Sequence, residues 1–104
     1  MAGATERERV AENIARQCDV VARVLRSLSH PVRLKILSEL ARRERSVTEL
    51  IEACATSQSA MSQFLKRMKR EGLVDSRRES PFIFYRIADP KLHRLMHAMS
   101  EIYC

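Results

Sequence analysis

The chain has no tryptophan, two glycines and three prolines, and its aromatic residues are only three phenylalanines and two tyrosines. So few turn-forming glycines and so few aromatics argue against a β-rich fold and point to a mostly helical chain. The three cysteines, Cys18, Cys54 and Cys104, are scattered and form no CxxC pair. That excludes a zinc ribbon or a disulfide framework and fits a cytosolic, cytoplasmic protein with reduced thiols. Uninterrupted apolar runs last only a few residues, far short of the ~20 needed to cross a bilayer, so no membrane partner is expected. Met1 to Arg9 is charged and lacks an apolar core segment, so a secretory signal is not expected either. Repeats, low-complexity segments and linkers are absent, and a single domain over residues 1–104 is the expectation. What the chain does have is one-sided charge: 19 Lys and Arg against 13 Asp and Glu, a net +6. Its apolar fraction of 45% is that of a folded domain. A chain of this size buries a limited core alone, which favours a second subunit.

Apolar spacing sets the elements. Val10, Ile14, Cys18, Val21, Leu25 and Leu28 form a ladder on one face of a long first helix. Ser29-His30-Pro31 breaks it, with Pro31 suited to the first turn of a second helix and His30 read as part of that helix start. Val32, Ile36, Leu37 and Leu40 give the second helix its apolar face. After the charged turn Arg42-Arg43-Glu44-Arg45, Ser46 or Thr48 caps a short third helix carrying Leu50, Ile51 and Cys54 inward. Thr56-Ser57 caps a fourth helix, Gln58 to Arg70, and Gly72 closes it. The period then changes. Leu73 to Arg77 and Phe82 to Ile87 read as two strands around Glu79-Ser80-Pro81. Asp89-Pro90 opens a last helix with Leu92, Leu95, Met96, Met99, Ile102 and Tyr103 inward. The order ααααββα, mainly α with a small β-hairpin, is that of a winged helix-turn-helix.

The fourth helix is the most informative. Met61, Leu65 and Met68 form its buried stripe, leaving Gln58, Ser59, Ser62, Gln63, Lys66 and Arg67 outward, with Ser57 at its start. Short hydroxyls and amides approach base edges closely; Gln bonds adenine bidentately, and Ser serves as donor or acceptor. The basic half that follows suits phosphates. An ordinary solvated amphipathic helix shows the same pattern by itself. The preceding short helix and a hairpin bearing Arg77 and Arg78 turn the balance to double-stranded DNA. A glycine-rich phosphate loop and a Ser-His-Asp grouping near a glycine turn are both missing, so an enzyme is not expected. A winged-helix module that binds protein instead of DNA is the alternative of another class, and the basic outer face argues against it.

Leu28-Ser29-His30-Pro31-Val32-Arg33-Leu34-Lys35-Ile36-Leu37, Ser46-Val47-Thr48-Glu49-Leu50, Ser57-Gln58-Ser59-Ala60-Met61-Ser62-Gln63 and Glu71-Gly72-Leu73-Val74 follow one another in order. From about Val21 to the C-terminus, the chain resembles the bacterial ArsR/SmtB family of homodimeric winged-helix repressors. The resemblance implies that Gln58, Ser59, Ser62 and Gln63 enter the major groove of a pseudo-palindromic operator, with the hairpin on backbone or minor groove. Phe64 stands where the family often has His, and the tip Glu79-Ser80-Pro81 lacks the usual Gly-Arg or Gly-Lys.

A metal-responsive repressor is one alternative for the inducer. The family's thiolate site needs a Cys-x-Cys pair, because soft metals select thiolates, and Ser46 and Thr48 occupy those positions. Its last-helix site needs a His where Lys91 stands and another where Ile102 stands. His93, His97 and Glu101 share a helical face, but bare spacing is more often explained by exposed or interface histidines; no metal and no cofactor are expected. The ending Glu101-Ile102-Tyr103-Cys104 is similar to the thiol- and persulfide-sensing BigR/SqrR/HlyU-like branch of the family. That branch pairs a late cysteine, matched by Cys104, with one in the second helix, where this chain has Ser38. Either a cysteine has been replaced there or the chain uses another thiol. Cys18 is the better substitute than Cys54, although both lie on apolar stripes and read as buried residues.

Overall fold

The computed structural model describes residues 5–104, so residues 1–4 of the charged N-terminal stretch lie outside the described residues. The chain divides into two compact units, Met1–His30 and Pro31–Cys104.

In the first unit the expected single long helix is two. α1 spans Glu6–Arg16 and α2 spans Cys18–Leu28. Thr5 and Glu8 close a capping box at the start of α1, each side chain accepting from the other's backbone N–H. Gln17 leaves helical geometry with φ −109° and ψ 15°, and its N–H bonds both Asn13 and Ile14 carbonyls. Arg16 in the last turn of α1 and Asp19 in the first turn of α2 each suit the helix end beside them. The apolar ladder runs straight through the break, which is why spacing alone did not reveal it.

The second unit holds α3 (Pro31–Arg42), β1 (Arg45–Ser46), α4 (Val47–Cys54), α5 (Gln58–Arg70), β2 (Val74–Glu79), β3 (Phe82–Ile87) and α6 (Pro90–Tyr103). The described residues thus form six helices and three strands instead of ααααββα. The sheet is antiparallel in the order β1-β3-β2. Arg45 and Ser46 pair with Tyr85 and Phe84, and β2 pairs with β3 from Val74↔Ile87 to Glu79↔Phe82. β1 is a two-residue strand in a charged turn, with no alternation to betray it. It ties the hairpin to the connection between α3 and α4. Ile36, Leu37, Leu50, Met61, Leu65, Met68 and Val74 are fully buried, so α3, α4, α5 and β2 share one core.

The last helix departs from expectation at its end. Leu92 is buried and Leu95, Met96 and Met99 are half-buried, but Ile102 and Tyr103 are 71% and 82% exposed. Those two do not face the core. With α4 and α5 joined by a three-residue turn and a hairpin following, the second unit is a winged helix-turn-helix.

Candidate nucleic-acid interface

The candidate interface is built around α5. The Ser57 side chain accepts from the Ala60 N–H at 3.1 Å and so caps the helix. At the other end Leu73 N–H bonds the Met68 carbonyl and Gly72 N–H bonds that of Lys69. This is a Schellman closure, with Gly72 at φ +79° and Leu73 and Met68 both buried. Met61, Leu65 and Met68 anchor one face in the core. The opposite face presents Gln58, Ser59, Gln63, Lys66 and Arg67 exposed, with Ser62 half-buried between them. Arg67, Lys69 and Arg70 crowd the last turn, where positive charge also meets the negative end of the helix dipole.

The short helix ahead of it is held by charge and caps. Ser46 and Glu49 form a reciprocal capping box, at 3.1 Å and 3.0 Å. The Ser46 backbone N–H first, then Arg43, holds the Glu49 carboxyl down at a pKa of about 2. Arg43 pairs with Glu49 at 2.8 Å, and Arg45 with Glu39 at 3.1 Å. Behind α5, buried Arg33 in the first turn of α3 reaches Glu71 at 2.6 Å. Lys69 Nζ donates to Ser76 Oγ at 2.7 Å, joining the helix end to the hairpin. The sequence offers Ser46 as a cap ahead of Glu49, but not the ion pairs or the Lys69–Ser76 bond, which depend on how side chains meet in the packed chain; the Arg33–Glu71 pair spans 38 residues.

The two hairpin arginines differ. Arg77 donates to Glu44 and to Glu79, the latter at 2.6 Å, and its guanidinium lies 4.6 Å from the Phe84 ring centre. Arg78 is exposed.

The thiols separate in the same way. Cys54 is buried, and burial pushes its thiol pKa up, which suppresses the reactive thiolate. Cys104 is exposed, and so is Cys18, which its place on the apolar ladder suggested would be buried; α1 and α2 bury only Ser27 and Leu28. Cys104 lines a groove of about 790 Å³ between α3 and α6, together with Leu34, Ser38, His93 and Met96. The Ser38 hydroxyl donates to the Lys35 carbonyl at 2.8 Å. On α6, His97 pairs with Glu101 at 3.1 Å, both exposed. Among the described residues, no three His, Cys, Asp or Glu side chains converge to hold a metal ion, and no helix is long and apolar enough to cross a membrane.

Comparison with known proteins agrees with this geometry. Residues 30–76 match the family described as bacterial regulatory protein, arsR family. The biofilm growth-associated repressor of Xylella fastidiosa is 37% identical over 93 residues, which is 89% of this chain and 82% of that protein. The crystal structure of the transcriptional repressor BigR from Xylella fastidiosa superposes with a TM-score of 0.85 at 36% identity, covering 90% of this chain and 96% of that one. The homodimeric winged helix-turn-helix DNA-binding domain of Mb0332 from Mycobacterium bovis gives 0.74 at 35% identity, covering 98% and 89%. Family match, identity and fold converge: the chain belongs to the arsR family of bacterial transcriptional regulators and is similar to its BigR-like members.

Proposed function

We propose that the chain is a homodimeric repressor that reads a pseudo-palindromic operator with α5, and that its Cys104 thiol responds to persulfide or oxidant. The observation that carries the DNA reading is the exposed row Gln58, Ser59 and Gln63 ahead of Lys66 and Arg67, on a helix pinned from behind by Met61, Leu65 and Met68. A reading helix needs both features: polar tips free to meet base edges and a rigid back that fixes their register. Ser62, half-buried in that row, donates at close range. Ser57 spends its oxygen as a cap acceptor and keeps its O–H as a donor, here toward a phosphate. Lys66, Arg67 and the hairpin supply the remaining phosphate contacts. Work on chromosomal DNA goes with a cytoplasmic location, where thiols stay reduced.

The test compares operator and random duplexes by fluorescence anisotropy across a salt series. Gln63→Ala loses discrimination at particular base pairs, about 1–3 kcal/mol for a bidentate contact. Equal weakening on both duplexes would show that α5 is not the reader.

For switching, the supporting observation is that exposed Cys104 shares its groove with Ser38. A disulfide between α3 and α6 would shift the dimer between two arrangements of its reading heads. Its formation removes two protons and two electrons from a thiol pair and passes them to the polysulfide or peroxide. Serine at residue 38 offers no second thiol. The expected result is that Cys104 is modified by polysulfide, that release from DNA is blunted, and that Ser38→Cys restores it. Full release by the unaltered chain, abolished by Cys18→Ala, would assign the partner role to Cys18 instead. Mass spectrometry of the three thiols beside the binding assay reads all of these outcomes.

A further inference from the structure

Strand alternation sends neighbouring side chains to opposite faces of the hairpin. Val74, Ser76 and Arg78 share one face of β2, and Asp75, Arg77 and Glu79 share the other. The first face is the α5 side, since Val74 is buried in the core and Ser76 accepts from Lys69. Arg78 therefore lies on the side of the hairpin nearest the basic end of the reading helix, and it forms no ion pair among the described residues.

Arg77 is placed quite differently. Its Nε donates to Glu44 and its Nη1 to Glu79 at 2.6 Å. The flat of its guanidinium covers Phe84, its cross-strand partner. Glu44 sits in the connection between α3 and β1, and β1 pairs with β3 next to it through Arg45↔Tyr85 and Ser46↔Phe84. One cation between two carboxylates offers an approaching phosphate a site that is already neutralised and negative at its edges. Taking Arg77 for a phosphate would mean exchanging two carboxylate contacts and an aromatic one for a single contact to DNA.

We propose that Arg77 is a positioning residue, clamping the hairpin to the α3–β1 connection through Glu44 and Phe84, and that Arg78 makes the hairpin's phosphate contact. This rests on the DNA reading of α5, and it divides between two residues a role that the sequence assigns to both. The planar fork suits the clamp: it grips two carboxylates while stacking on a ring, which a lysine ammonium does not reproduce.

The experiment measures operator and random-duplex affinity of the full-length chain over a salt series for wild type, Arg78→Ala, Arg77→Ala, Arg77→Lys, Glu44→Ala and the Arg77→Ala/Glu44→Ala double variant. Thermal melts of each variant confirm folding. Each phosphate neutralised contributes roughly 0.9 to the slope of log affinity against log salt. Arg78→Ala is expected to flatten that slope by about 0.9 on both duplexes. Arg77→Ala weakens operator binding without changing the slope, Arg77→Lys fails to restore it, and the double variant binds no worse than Arg77→Ala. Three results overturn the assignment: a slope flattened by Arg77→Ala, full affinity with Arg77→Lys, or tighter, more salt-sensitive binding with Glu44→Ala. Absence of operator preference in the wild-type chain would instead defeat the DNA reading itself, and the assignment with it.

Discussion

Among the described residues, two hold a left-handed backbone, and only one is a glycine. Gly72 closes α5 at φ +79°, and Ala55 ends α4 at φ +50° in the turn that leads to α5. A Cβ in that region costs roughly 1–2 kcal/mol, while glycine costs about 0.5–1 kcal/mol in unfolded-chain entropy. Ala55→Gly is therefore expected to stabilise by roughly 0.5–1 kcal/mol by this difference, and Gly72→Ala to destabilise by a similar amount. No heavy atom lies within 4 Å of a Cβ placed at Gly72, so the second effect is conformational and not a clash. Urea unfolding of both variants checks the pair; equal signs would refute the reasoning. Glu49 gives a pH prediction. Its carboxyl pKa falls from 4.5 to about 2 in the folded chain. A depressed folded-state value means the unfolded state binds the proton first, so the stabilisation is present above about pH 4.5 and lost as pH falls toward 2. Melting temperature should then fall more steeply across that window for wild type than for Glu49→Gln. Parallel curves would show that Glu49 does not carry the acid sensitivity.

Among the elements, α5 is the one whose ends and buried face are legible in the sequence. Ser57, Gly72 and the spacing of Met61, Leu65 and Met68 fix its ends and its inner face. All of these act within a turn or two of chain. The same rules missed the break at Gln17, because the ladder Val10, Ile14, Cys18, Val21, Leu25 continues in phase across it. They missed β1 as well, since two residues in a charged turn take strand geometry only by pairing with Phe84 and Tyr85. The packing of α5 supplies its own prediction. Leu65 is 1% exposed, and Leu65→Ala should cost about 2–5 kcal/mol through lost burial and a residual cavity. Denaturant unfolding measures the loss. A cost under ~1 kcal/mol would mean that the helix is not seated as described.

For the whole molecule, the apolar surface left in each unit is the feature to account for. Val10, Ile14, Val20 and Leu25 are about half exposed or more in the first unit, as are Ile102 and Tyr103 at the end of the second. Exposed apolar surface of this kind on a small chain marks an interaction surface in each unit. The homodimer proposed above covers it and sets two α5 helices one turn of DNA apart, ~34 Å between half-sites. Sedimentation at micromolar concentration should show a dimer, and Ile102→Asp with Tyr103→Asp should shift it toward monomer and weaken operator binding together. A stable wild-type monomer would count against the arrangement.

The sequence by itself determined the helix-turn-helix, the hairpin, the composition of the outer face of α5 and the membership of the family, because these follow from short-range spacing, caps and local motifs. Tertiary structure alone decided which charged residues remain available to a ligand. Arg77 and Arg78 are adjacent and identical in sequence terms. One is taken up by Glu44, thirty-three residues away, and by a ring on the neighbouring strand; the other is not. The pairing of side chains across such distances depends on how strands register and helices pack, which no local pattern in the chain encodes.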